Sequence, residues 1–173
     1  MNMKIFFTFI LLCFWSAVHA QTFDTSFTES KMKSKNQVYK VKKYSTGGSF
    51  LENEKNQLNK QNYRPDTLNL SGMKWRESMV VAMNEIMVYL FENRKLSPDK
   101  LPNMGAHWKI LKNGQVKEVV FVVRNNTSLT PDDIEQIEKI MTKQKVKITQ
   151  PQFYSQMNFA YIHMPLIWKN PLR

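Results

Sequence analysis

Cysteine is almost absent from this chain. The one copy, Cys13, lies in the N-terminal apolar segment. Residues 21–173 can therefore form no disulfide and offer no cysteine nucleophile or thiolate metal ligand. Histidine is nearly as scarce, at His19, His107 and His163. Glycine occurs five times, and no phosphate loop, Gly-x-Ser-x-Gly or His-Glu-x-x-His pattern is present. Acidic residues are few: 14 Asp and Glu stand against 25 Lys and Arg, a formal charge of +11. No apolar run reaches the ~20 residues that span a bilayer comfortably.

These absences point away from catalysis. His107 and His163 are the neutral-pH bases left after residue 20, and neither has Asp or Ser at a motif spacing. They read as two partly exposed structural histidines. Glu52 and Glu54 fall in a polar segment, and Asp132 and Asp133 fall where a helix begins. The expectation is a protein that is not an enzyme and needs no cofactor, with an unrecognised hydrolase as an alternative.

What is present starts with the N-terminus. Lys4 precedes an apolar run from Ile5 to Val18, and Val18-His19-Ala20 offers a cleavage site. This is the anatomy of a secretory signal over residues 1–20. Leu12 stands where a lipoprotein signal needs a small residue, so Cys13 is expected to leave with the leader. The expected location is periplasmic, secreted or envelope-associated. After Ala20 the chain carries 24 basic and 14 acidic residues. An exported protein meets little nucleic acid, so such a charge suits an anionic membrane surface, a polysaccharide or an acidic protein.

Residues 21–68 are poor in apolar side chains. Lys31, Lys33, Lys35, Lys40, Lys42 and Lys43 crowd one short stretch, and "STGGS" follows at 45–49. Val38, Tyr39, Val41 and Tyr44 hint at one weak strand. The composition predicts a basic arm, flexible or loosely docked, whose lysines meet an anionic surface.

Residues 69–173 carry sharper signals. "KWRESMVVAMNEIMVYLFEN", 74–93, repeats apolar residues at helical spacing, and Val80, Val81 and Val88 widen its apolar surface. Pro98 and Pro102 follow it. In "AHWKILKNGQVKEVVFVV", 106–123, Asn113-Gly114 predicts a two-residue type I′ hairpin. That register puts Lys109 opposite Glu118 and Trp108 opposite Val119. It gives a core face of Trp108, Ile110, Val119, Phe121 and Val123, with His107, Lys109, Leu111, Val116, Glu118, Val120 and Val122 opposite. Thr130 is the expected N-cap of a second helix, with Pro131, Asp132 and Asp133 in its first turn and Leu129 and Ile134 as a hydrophobic staple. Glu135, Gln136, Glu138 and Lys139 are expected to face solvent. A last strand, 158–169, alternates Ala160, Ile162, Met164, Leu166 and Trp168 against Phe159, Tyr161, His163, Pro165 and Ile167. The expected fold is two-layer α+β, two helices on a three-stranded antiparallel sheet, in the order helix-strand-strand-helix-strand.

That order, with "NGQVKEVVFVV", "LTPDDIEQIEKIM" and "MPLIW", resembles the C-terminal domain of the TonB energy-transducer family over roughly residues 72–169. Gly114, Val116, Val119, Leu129, Pro165 and Ile167 match the family's pattern. The chain is also similar to small secreted proteins of Gram-negative envelopes that use this fold. The resemblance implies a periplasmic module that holds an extended peptide along its last strand. It departs in lacking a Pro-rich spacer and the Tyr-Pro that usually precedes the domain. Ser16 and His19 echo the family's anchor pair, but one residue short in spacing. Shared fold is favoured over shared task, and a membrane-tethered transducer stands as an alternative.

Two readings of the last strand follow from the residues themselves. Pro165 lacks a ladder donor, which suits an edge strand. Phe159, Tyr161, His163 and Pro165 would then meet a peptide that adds as a further strand. Alternatively, the arm covers that edge through "QVYKV". Met79, Met83 and Met87, spaced by four, allow a metal carrier to which Met104, Met157, Met164, His107 and His163 could add ligands, although methionine at helical spacing is usually core.

Overall fold

The computed structural model describes residues 30–44, 48–58, 70–97, 101, 104–124, 128–154 and 159–166. The expected leader, Pro98, Pro102, Ile167 and Trp168 lie outside the described residues. Among the described residues six strands form one antiparallel sheet: β1 (Ser30–Lys33), β2 (Val38–Lys43), β3 (Gly48–Asn53), β4 (Met104–Leu111), β5 (Val116–Arg124) and β6 (Phe159–Leu166). Their order across the sheet is β1-β2-β3-β5-β4-β6. Two helices, α1 (Trp75–Met87) and α2 (Pro131–Thr142), share its apolar core.

The three-stranded sheet expected from the sequence is corrected by this order. The segment expected as a flexible or loosely docked arm supplies β1, β2 and β3, and β3 pairs directly with β5. The physical reason lies in the alternation of a half-solvated sheet. Met32, Tyr39, Val41 and Leu51 point into the core, while the lysines between them point out. Composition averages the two faces and so hides the strands.

The inward half of this segment is also partly polar, because it meets carboxylates. Glu135 and Glu138 of α2 are 3% and 8% exposed, not solvent-facing as expected. The Ser34 hydroxyl, the Asn36 amide N–H and the Asn36 side chain all donate to Glu135. Lys35 N–H donates to Asp132 Oδ1 at 2.7 Å. Tyr39 and Asn53 donate to Glu138 Oε2 at 2.5 and 3.0 Å. The β1–β2 turn and the neighbouring strands are thus fastened to α2 by hydrogen bonds to charged groups, the stronger kind, and those from Ser34, Tyr39 and Asn53 are buried.

The start of α2 follows the sequence closely. Thr130 Oγ1 accepts from Asp133 N–H at 3.2 Å, and Asp133 Oδ2 accepts from Thr130 N–H at 2.8 Å, a reciprocal capping box. Asp133 also receives Tyr89 Oη and Arg94 Nε, each at 2.7 Å, from the end of α1. That end is a π-helical turn, Val88–Asn93, closed by Lys95 at φ 54°. Met83 is buried and Met79 packs against the core.

The hairpin differs from the expected type I′ turn. Its loop has three residues: Gly114 N–H donates to Leu111 O at 2.8 Å and Leu111 N–H to Gln115 O at 2.9 Å. Gly114 has φ 86°, whereas Asn113 is not in the left-handed region. Asn113 Oδ1 instead accepts from Gln115 N–H at 3.0 Å, the local bond that suits Asn to turns. Lys109 still faces Glu118 and Trp108 still faces Val119, but a bulge then pairs Ile110 with Val116. Val116 therefore turns into the core, where it is buried.

Candidate functional site at the β6 edge

β6 ends the sheet. Among the described residues it pairs with β4 alone, from Met104↔Leu166 to Leu111↔Phe159. Period-2 alternation buries Ala160, Ile162, Met164 and Leu166 and sends Phe159, Tyr161, His163 and Pro165 to the other face. Tyr161, His163 and Pro165 are exposed there, Tyr161 at 39%. Phe159 is not: it is 6% exposed and lies below Lys109, whose Nζ is 5.9 Å from the ring centroid. β1 and β2 occupy the opposite side of the sheet, so "QVYKV" does not cover the β6 edge.

The β4–β6 register sets His107 directly opposite His163. His163 Nδ1 and His107 Nε2 are 2.8 Å apart, one donating and the other accepting. The ring centroids lie 4.4 Å apart at 69°. Gly105, one pair further along, makes this possible, since a Cβ there would sit 3.0 Å from His163 Cε1. Tyr161 approaches His107 edge-on at 4.9 Å, and Phe50 of β3 does so at 6.1 Å. Tyr44 lies 4.0 Å from Phe50. A line of rings therefore crosses the open face from β3 to β6.

The electrostatics of this face are local. Burial, followed by the neighbouring His163 and Lys109, lowers the His107 imidazole to about 4, so it is neutral at pH 7. Its Nδ1 is buried and has no hydrogen-bond partner among the described residues. Lys109 and Glu118 are both buried and pair at 3.1 Å. Their charges largely cancel, as a buried pair requires.

The predicted lysines are elsewhere. Lys31, Lys33, Lys35, Lys40, Lys42 and Lys43 are all exposed at the β1–β2 end. Lys31 and Lys40 face each other across the ladder, and Lys31 is paired with Glu54 at 2.9 Å. The structure brings Tyr161 and His163 together with His107, but keeps the lysines strands away. Sequence reasoning placed both histidines on mixed faces and missed that they touch. The missing quantity was the β4–β6 register, which no local signal carries.

No family model matches the chain, and no curated protein matches it either. Its fold is similar to that of a DUF5043 family protein from Bacteroides uniformis, known from a crystal structure. The TM-score is 0.63 at 14% identity, covering 81% of this chain and 91% of that chain. At that identity the likeness concerns the fold.

Proposed function

We propose that this protein is a non-enzymatic binding module of the cell envelope that takes up an extended peptide along the free edge of β6. The supporting observation is the position of β6 at the end of the sheet, with Tyr161 and His163 exposed beside an edge that no other described strand pairs with. The leader-like residues 1–20 support an exported location. Proline is tolerated in an edge strand when its missing N–H faces away from the ladder. With that orientation at Pro165, residues 161 and 163 also direct their N–H and C=O groups outward, because backbone direction alternates with period 2. A partner strand would bond to Tyr161 and His163 and stop at Pro165. Main-chain bonds supply affinity, and Tyr161 and His163 supply choice.

The experiment compares Tyr161→Pro with Ile162→Pro, and screens both against a displayed library of extended peptides. Tyr161→Pro should keep the fold and abolish binding of peptides selected on the parent protein. Ile162→Pro should break the β4–β6 ladder and lower the thermal midpoint. Selected peptides that bind Tyr161→Pro with parental affinity, or a Tyr161→Pro protein as unstable as Ile162→Pro, would refute the reading.

A further inference from the structure

We propose that His107 and His163 form a two-imidazole site for a divalent first-row transition cation on the open face of the sheet. Three observations carry this. The histidines are directly opposed on neighbouring strands, so the sheet holds both backbones in place. Their facing nitrogens are 2.8 Å apart, so one proton lies between two nitrogen lone pairs aimed at one point. His163 is exposed, which gives a cation access from solvent.

A cation that accepts both lone pairs takes the place of that proton, which moves to a far ring nitrogen through exchange with water. Metal–nitrogen bonds of about 2.0–2.1 Å at a tetrahedral angle set the two nitrogens about 3.3 Å apart. The observed 2.8 Å must open by roughly half an ångström. Rotation of the exposed His163 ring can supply this without moving either strand. Water or an added ligand fills the remaining positions. In the bound form His107 carries its proton on the buried Nδ1, which has no acceptor among the described residues. That cost places the affinity well below that of a closed three- or four-ligand site. Imidazole donors favour copper(II) over nickel(II) and zinc(II) by the usual order for first-row cations. The site does not depend on peptide uptake, and either can fail alone.

Calorimetric titration of the untagged protein with CuCl2, NiCl2 and ZnCl2 tests the proposal, with His19→Ala as background to remove the third histidine. One equivalent should bind, copper most tightly, and the imidazole C–H resonances of His107 and His163 should respond together to Zn2+. His163→Ala should weaken binding about tenfold or more with no change in the metal-free thermal midpoint. His107→Ala removes the other imidazole and should weaken binding likewise. Parental affinity in either variant, or no binding by the parent protein at about 1 mM metal (three decades weaker than a micromolar site), overturns the proposal.

Discussion

The hydroxyl of Tyr39 donates to Glu138 Oε2 at 2.5 Å, joining residues 99 apart in sequence. Both groups are buried, and Asn53 donates to the same oxygen. This contact fastens the Lys-rich segment to α2. Tyr39→Phe should therefore cost about 1.5–3 kcal/mol, the range for a buried hydrogen bond to a charged group. Urea denaturation followed by circular dichroism measures it. Deleting residues 30–53 removes three of the six strands and should abolish the cooperative transition. A deleted form that melts at the parental midpoint would show the segment to be dispensable.

The α2 carboxylates give stability two opposite pH dependences. Burial alone would raise Glu135, but Lys139, Asn36 and Ser34 outweigh it and hold the carboxyl at about 2. Its contribution is complete above its ordinary value of 4.5 and lost as pH falls from there toward about 2. Asp133 behaves similarly: burial opposes, but Arg94, Thr130 and Tyr89 prevail and hold it low. Glu138 is the reverse, since burial outweighs the bonds from Tyr39 and Asn53 and raises it. The folded state then holds its proton more tightly, so stability declines as pH rises above the ordinary carboxylate range. Glu135→Gln should flatten the acid limb between pH 4.5 and about 2. Glu138→Gln should gain stability relative to the parent as pH rises. Thermal midpoints from pH 2 to 8 decide both.

Gly114 closes the β4–β5 loop where no other residue fits. Its φ is 86°, and a Cβ would lie 2.0 Å from Val146 O. Its own carbonyl accepts from Val146 N–H at 2.7 Å. Gly114→Ala combines left-handed strain with a backbone collision, and should cost about 3 kcal/mol or more. Chemical denaturation checks this. Asn113→Ala, which loses the bond to Gln115 N–H, should cost nearer 1 kcal/mol, roughly one ordinary hydrogen bond.

The exposed lysines at the far end of the sheet should bind anionic surfaces. Lys33, Lys40 and Lys42 lie on one face of β1 and β2 by register and alternation. Each contributes about 1 kcal/mol near a negatively charged membrane, screened by salt. Replacing all three with serine should remove co-sedimentation with phosphatidylserine vesicles at low salt, without lowering the thermal midpoint. Vesicle binding by the triple variant equal to the parent's would rule these residues out.

Some of this was legible in the sequence for physical reasons. The α2 cap rests on residues within four positions of one another, so Thr130, Pro131 and Asp133 announce it. Lys109 opposite Glu118 follows from a short loop between adjacent strands. The alternation along β6 states which side chains share a face. All of these are local patterns, set by the 2.0 and 3.6 periods of the backbone.

The tertiary structure decided the rest. β3 beside β5, and β4 between β5 and β6, depend on chain paths that no local pattern encodes. Glu135 and Glu138 look like solvent-facing residues of an amphipathic helix until β1 and β2 arrive to bury them. His107 and His163 sit 56 residues apart and meet only because one register of β4 against β6 aligns them. A shift of one residue would send His163 to the core face and dissolve the pair. The sequence by itself determined which residues are inward or outward along β6 and most of β4 and β5, while the bulge that turns Val116 inward came from the fold. Which outward residues touch was decided by packing among segments distant in the chain, where the free energy of the whole core selects the register.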